Sequence, residues 1–352
     1  MHFEDRCAMC GLEVAKTKVA DLGKNIDPAA VDMIKMTYVD DGSGGGTKET
    51  VDRLIGEETT DAKGNLIYSG TVNQIFALGG FSLKVMVRDR ESLPDITEKL
   101  GGGVLGLSWD PLHDDISMHL AVNMSLKKAN VRLGPELTES ELHYIALIPL
   151  SKRIAVSQVN AIYDPLGLLA PLTIRYKLTL QKITSLSLGW DEVLQGEIDA
   201  ELRKILTEMV TTPDIKFHRA VVPANARDDF ELLGFWDGGK PASAAVIYTR
   251  HELEEPRGQE THSVRLLVAK ARVTPTSPTV STPRTELRGL LLLSRLITSI
   301  LPGLSKPPSR ISLFGDSQCT ISAVECDQNI LEVWFGNRVA EIRDHMQSWR
   351  GK

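Results

Sequence analysis

The stretch Tyr38-Val39-Asp40-Asp41-Gly42 is the part of this sequence best suited to chemistry. Two adjacent carboxylates follow an apolar run, Met33-Ile34-Lys35-Met36-Thr37-Tyr38-Val39, which reads as a strand. Asp41-Gly42 is a tight-turn signal, so a hairpin is expected, with at least one carboxylate held out of the sheet at its tip. Hard cations such as Mg²⁺ take oxygen ligands of this kind. Nucleotidyl transfer uses a metal pair to stabilise the attacking and leaving oxygens. The plain alternative is an ordinary Asp-Gly hairpin with a solvated neighbour.

The elements around these carboxylates follow from period and punctuation. The segment before Val31 is poorly periodic. Residues 47–58 read as a helix capped by Thr47, with Val51, Leu54 and Ile55 on one face. A turn-rich insert, 59–69, precedes a second helix, 71–78, stopped by Gly79-Gly80. Strands are expected at 81–87 and 116–122. Between them, the run from Gly101 to Gly106 satisfies Gly-x-Gly-x-x-Gly, but it follows a charged segment and opens no helix, so it is not a dinucleotide site. The middle of the chain reads as three helices: 152–162 capped by Ser151, one opening at Pro171, and 191–209. Asp164-Pro165-Leu166-Gly167 breaks the first of them. From Phe230 the period changes, and the order becomes strand 230–237, strand 242–250, strand 263–273, helix 283–300, strand 311–316 and a helix from Ser317, with a turn-rich loop at 253–259.

At 352 residues two or three domains are expected, and 42% hydrophobic residues suffice for packed cores. No uninterrupted apolar run approaches bilayer length and no signal-peptide pattern opens the chain. An intracellular protein, cytoplasmic or nuclear and without a membrane partner, is expected. A net charge of −6 lacks the basic balance usual in nucleic-acid enzymes. Basic clusters at Lys127-Lys128 with Arg132, Lys152-Arg153, Arg175 with Lys177 and Lys182, and Arg265 with Lys270 and Arg272 read by default as solvated faces. Cys7 and Cys10 form one Cys-x-x-Cys without a second pair, and Cys319 and Cys326 lack histidines at ligand spacing, so a structural metal is not expected.

Tyr-Val-Asp-Asp is the hairpin motif of the reverse-transcriptase palm, and the following sequence resembles the polymerase of BEL/Pao-class LTR retrotransposons. The resemblance is carried by Gly79-Gly80-Phe81-Ser82-Leu83-Lys84 and by Leu105-Gly106-Leu107-Ser108-Trp109-Asp110, in the primer-grip region. It is most specific in Ile162-Tyr163-Asp164-Pro165-Leu166-Gly167-Leu168-Leu169-Ala170-Pro171 and Gly189-Trp190-Asp191. The family name carries a peptidase A17 label, yet neither Asp-Thr-Gly nor Asp-Ser-Gly is present to support aspartic-peptidase chemistry.

The resemblance implies a multidomain α+β and α/β chain. Residues 1–125 are the C-terminal part of a palm with its primer-grip region, 126–225 a helical connection, and 226–352 an RNase H-like mixed sheet with helices. The last of these follows the order of strands and helices given above. It further implies that Asp237, Glu286 and Asp316, at two strand ends and a helix start, are catalytic metal ligands for Mg²⁺ or Mn²⁺, as are Asp40 and Asp41 in the palm. The implied partners are an RNA–DNA hybrid or a primer–template, together with other Pol segments. Each carboxylate has a simpler role available: Glu286 facing the helix dipole, Asp316 as a helix cap, Asp237 in an Asp-Gly turn. The family pattern adds a palm aspartate upstream and a fourth RNase H carboxylate downstream, and neither is found in this sequence. The expectation is therefore an inactive polymerase and an impaired, metal-dependent RNase H. The rival reading is a catalytically dead remnant, or a scaffold that binds nucleic acid or protein.

Overall fold

The computed structural model describes residues 8–37, 46–62, 64–83, 85–88, 107–125, 127–128, 131–257, 260–276, 280–326 and 332–349. Two compact units emerge, Met1–Ile116 and Ser117–Lys352. Asp40 and Asp41, with the rest of 38–45, and the glycine-rich run 101–106 lie outside the described residues.

The first unit contains helices α1 (Ala8–Leu22), α2 (Pro28–Met36), α3 (Lys48–Ile55) and α4 (Thr71–Leu78), with the strands β1 (Glu58–Thr60) and β2 (Leu66–Tyr68) between α3 and α4. The short strand β3 (Ser108–Asp110) comes later, and β4 (Asp115–Met118) runs across the boundary at Ile116. The segment expected to be a strand at 33–39 is instead helical as far as Met36. Its start explains why: the Asp27 carboxylate accepts the Ala29 N–H at 3.0 Å, and Pro28 occupies the first helical turn. Ala30, Val31 and Ile34 then fall on one buried face. The aperiodic segment before Val31 is helical too, and its Val19 and Ala20 join the same core as Leu54, Tyr68, Val72 and Ile75.

Residues 47–58 behave largely as expected, with Thr47 capping α3 by accepting the Thr50 N–H. The turn-rich insert is a small hairpin, closed by Asp61 accepting from the Asn65 backbone at 2.8 Å and side chain at 2.9 Å. No strand forms over the described part of 81–88. There the Met86 N–H donates to the Tyr68 hydroxyl at 2.9 Å, and Arg88 reaches Asp52 and the Gly56 carbonyl.

Asp27 ties this unit together. Only 4% exposed, its carboxylate also accepts from Arg53 Nε at 2.8 Å and the Thr71 hydroxyl at 2.8 Å, so it joins α2, α3 and α4. Burial alone would raise its pKa, but the hydrogen bonds from Arg53, Thr71 and Ala29 outweigh it and hold the carboxyl below its usual value. Its stabilising effect is therefore complete above the unfolded carboxyl pKa and declines as the pH falls through the lower folded value. Asp27→Ala is expected to destabilise the first unit by about 2 kcal/mol, from the lost cap and hydrogen bonds. Hydrogen exchange of α2 and α4 amides at neutral pH measures it, and unchanged protection would contradict this role.

The second unit includes a small pairing of β5 (Lys127–Lys128) and β6 (Val131–Arg132). Helices α5 (Leu142–Leu147), α6 (Lys152–Val159), α7 (Ala170–Ser185) and α8 (Gly196–Thr211) follow, then β7 (Ile215–His218). The rest is β8 (Ala226–Gly238), β9 (Ala242–Arg257), β10 (Glu260–Val273), α9 (Thr282–Ile300), β11 (Arg310–Phe314), α10 (Gln318–Glu325) and α11 (Val333–Trp349). The loop expected at 253–259 is largely strand, because β9 continues to Arg257 and β10 resumes at Glu260. Helix α8 starts later than expected, since Asp191 pairs with Arg153 (2.6 and 2.9 Å) and Val193 bridges to Ser151. Among the described residues, no helix is long and apolar enough to cross a membrane.

The sheet has the order β10-β9-β8-β11, antiparallel except for β11, which runs parallel to β8. Alternate residues of β8 and β9 face inward: Leu232 and Trp236, with Ala245 and Ile247, pack with Leu287, Leu290, Leu293 and Ile297 of α9 and with Val339 and Ile342 of α11. Phe235 stacks on Phe314 (centroids 5.0 Å apart) among the exposed or half-buried positions that alternate with that core.

The turn most characteristic of the sequence docks on the far edge of this sheet. Asp164 accepts the Leu168 and Leu169 N–H groups (2.8 and 2.9 Å), and Gly167 has φ +69°. The Ala269 N–H of β10 donates to the Leu166 carbonyl at 2.8 Å. Gln181 of α7 donates to the Thr274 carbonyl just past the end of β10.

Among the buried groups of the sheet without a hydrogen-bond partner is a histidine. His251 of β9 is 2% exposed and stacks on Phe230, and neither ring nitrogen makes a hydrogen bond. Burial pushes its pKa down. A histidine more basic unfolded than folded makes stability fall as the pH drops below the unfolded pKa of about 6.5. His251→Leu is expected to raise stability at neutral pH by about 1–2 kcal/mol, by removing two unsatisfied polar atoms. It should also flatten the slope of stability between about pH 7 and 5. Denaturant titrations at both pH values check this, and an equally steep slope in the variant would assign it to other groups.

Candidate metal-binding carboxylates at the sheet end

Three elements meet at one end of the second unit's sheet. Strand β8 delivers Asp237 one residue before its end, and β11 runs parallel beside it with Phe314 opposite Phe235. Asp316 therefore lies two residues beyond that pair, as Asp237 does in β8. Helix α9 supplies Glu286 from its second turn.

Close backbone approach places Glu286. A Cβ on Gly238 would lie 2.5 Å from the Glu286 Cα and closer still to the Thr285 carbonyl, and one on Gly289 would lie 2.6 Å from the Asp237 carbonyl oxygen. Only glycine allows the helix start to lie against the strand end in this way. The buried Thr285 fastens the contact by donating to the Gly238 carbonyl at 2.9 Å, while Ser243 of β9 donates to the Thr285 carbonyl at 3.1 Å. From the other side, the Ser317 hydroxyl donates to Glu286 Oε2 at 2.5 Å. Ser317 also caps α10, accepting the Thr320 N–H, so the cap that Asp316 could have supplied comes from its neighbour.

The backbone positions of Asp237, Glu286 and Asp316 are thus brought together. Asp237 and Asp316 are exposed and Glu286 is half-buried. Their donor chemistry suits a hard cation, being three carboxylates with no ion pair among the described residues. As placed, they do not form a three-ligand group: among the described residues, no three His, Cys, Asp or Glu side chains converge on a common point. Local bonds account for part of this, since Asp237 Oδ1 accepts the adjacent Gly238 N–H at 2.7 Å and one Glu286 oxygen is engaged by Ser317. Asp40 and Asp41 cannot be placed in relation to any site, lying outside the described residues.

Sequence reasoning missed Ser317, Thr285 and Ser243. The cap of the helix after Asp316 was expected from Asp316 itself. The Ser-x-x-Thr spacing from Ser317 to Thr320 was the available sign of a helix cap. Several basic clusters are also resolved. Arg153 is paired with Asp191, Arg175 with Glu208 and Lys182 with Glu201, while Lys152 is buried and donates to the Leu186 carbonyl at 2.5 Å.

No curated protein matches the chain. Among solved structures, the foamy viral protease-reverse transcriptase dRH in complex with double-stranded DNA is similar over 86% of this chain, at 14% identity and a TM-score of 0.36. The similarity covers 46% of that chain, so the present sequence spans less than half of it. Residues 151–317 match the family model of the Pao retrotransposon-like RNaseH-like domain. The match opens at Ser151, the cap of α6, and closes at Ser317, the cap of α10. It takes in the docked Asp164–Gly167 turn and Asp237, Glu286 and Asp316, and over that segment the sequence is that of a Pao retrotransposon-like RNaseH-like domain.

Proposed function

We propose that the second unit binds RNA–DNA hybrid and cleaves its RNA strand, with Asp237, Glu286 and Asp316 as ligands of Mg²⁺ or Mn²⁺. The observation that carries this reading is the joining of the three positions: Gly238 lies against the Glu286 backbone, and Ser317 bonds the Glu286 carboxylate. When bound, a divalent ion supplies Lewis acidity toward the phosphate and lowers the pKa of its water. The protein's part is to orient. Ser317 fixes one oxygen of Glu286, and the packed Gly238–Thr285 contact sets where the helix start meets the strand end. The DNA-bound state of the foamy viral structure is a property of that protein, and nucleic-acid binding is here part of the proposal.

The test is cleavage of a hybrid labelled on its RNA strand, with Mg²⁺, Mn²⁺ or EDTA, beside single-stranded and double-stranded RNA. Cleavage confined to the hybrid and lost in EDTA is the expected result. A second reading is favoured by one observation, the absence of a convergent ligand group among the described residues. It holds that the domain binds hybrid without cutting it. Hybrid binding with no cleavage at millimolar Mn²⁺ would decide for that scaffold.

A further inference from the structure

Within the basic clusters of the second unit, Arg153, Arg175 and Lys182 are each neutralised by one carboxylate; a group of arginines outside those clusters is largely not. Arg284 and Arg288 of α9 and Arg338 of α11 all lie around the half-buried Trp334, with guanidinium carbons 5.1, 5.6 and 3.8 Å from its ring centroid. Arg284 has an ion pair with Glu332. Arg288 and Arg338 have none among the described residues. Arg338 donates only to the Trp334 carbonyl, at 2.8 Å, and Arg288 Nη1 is buried without a hydrogen-bond partner. Nearby Arg295 is matched by Glu341 at 2.6 and 2.9 Å.

Three guanidiniums on one indole gain cation–π attraction but repel one another, and an unpaired buried donor is unfavourable. The crowding is felt at Arg338: burial first, then the charges of Arg288 and Arg295, push its pKa below the usual arginine value, against the pull of Glu341. An anion with several oxygens relieves both penalties, and planar guanidinium forks match phosphate in particular.

Position on the helix indicates which phosphate. Arg284 and Arg288 are four residues apart and share a face of α9, while Glu286, midway between them, points roughly to the opposite side. A helix is about 10–12 Å across, so a strand reaching the carboxylate end can reach the arginines within a few nucleotides.

We propose that Arg284, Arg288 and Arg338, gathered on Trp334, form a phosphate-gripping patch for a nucleic-acid backbone beside the Glu286 end of α9. It rests on the hybrid-binding reading and names further residues that hold that substrate. The full chain is titrated against a fluorescein-labelled RNA–DNA hybrid by anisotropy, in EDTA so that nothing is cleaved, over a series of KCl concentrations. Each phosphate neutralised adds about 0.9 to the salt slope. Arg288→Gln should lower the slope by about one and weaken binding about fivefold at 0.15 M salt, and adding Arg338→Gln should lower it by about two. Arg288→Lys should keep the slope, and Arg175→Gln, at an arginine already paired with Glu208, should change nothing. Circular dichroism of each variant confirms that the fold is retained.

Tight hybrid binding with an unaltered slope in Arg288→Gln overturns the patch and leaves the proposed function standing. A slope that falls as expected in a chain that never cleaves upholds the patch and removes the nuclease reading. Failure of the wild-type chain to bind any hybrid overturns both. Polyglutamate bound as tightly as the hybrid, with the same dependence on Arg288, would assign the patch to an acidic protein partner and overturn the phosphate proposal.

Discussion

Asp316→Asn is expected to lower Mg²⁺-dependent cleavage of RNA–DNA hybrid by about a hundredfold or more, with little change in stability. The substitution keeps size and shape and removes the charge that would hold the metal. Loss of about 3 kcal/mol of transition-state stabilisation is about a hundredfold in rate. Stability should hold because Asp316 is exposed, and the cap of α10 comes from Ser317. Glu286→Gln is a less clean probe, since its carboxylate also accepts the Ser317 hydroxyl. Initial rates at saturating hybrid, with thermal unfolding in parallel, separate lost chemistry from lost fold. Wild-type rates in Asp316→Asn would remove this residue from the metal site, and metal-independent cleavage in the wild type would remove the metal itself.

How much of this was readable in the sequence varied with the signal each element carries. Helices with side-chain caps were found near their true starts: α3 behind Thr47 and α6 behind Ser151, and α10 one residue early, with Asp316 rather than Ser317 expected as its cap. Strands β8 and β9 showed an inward–outward alternation that survives in the structure, and their order with α9 and β11 carried the RNase H-like reading. The first unit was less legible. Helix α2 has an apolar run compatible with either period, and its Asp27-Pro28 start, an N-cap followed by an N1 proline, was passed over. The Asp27 network joins residues 26 and 44 positions apart, a distance over which no local pattern operates. The same limit applies at the site. Asp237, Glu286 and Asp316 could be named from their contexts, but the hydroxyl of Ser317 on Glu286 and the burial of Thr285 against Gly238 depend on how α9 crosses β8. The arginines around Trp334 come from two helices and were not among the basic clusters that local density picked out.

Gly167→Ala should destabilise the second unit by about 4 kcal/mol. Two terms add. The residue sits at φ +69°, where a side chain costs about 1–2 kcal/mol. A Cβ there would also drive into the Ala269 carbonyl oxygen and come within 2.5 Å of its carbon, and these are backbone atoms of β10 that cannot rotate aside. Relief requires the turn to lift from the strand, breaking the Ala269 N–H to Leu166 O bond and loosening α7 from β10. The control is Gly196→Ala at the start of α8, which has a similar φ of +65° and nothing within 4 Å of the new methyl. Only the conformational term should appear there, about 1 kcal/mol. Native-state hydrogen exchange of the Ala269 amide measures both, with protection falling far more in Gly167→Ala than in Gly196→Ala. Equal losses would mean that left-handed backbone strain alone accounts for Gly167. The family-specific turn would then have no particular hold on the sheet. Unequal losses would show that the most characteristic segment of this chain is conformational hardware, fastening the helical region to the edge of the strand array whose opposite side carries the carboxylates.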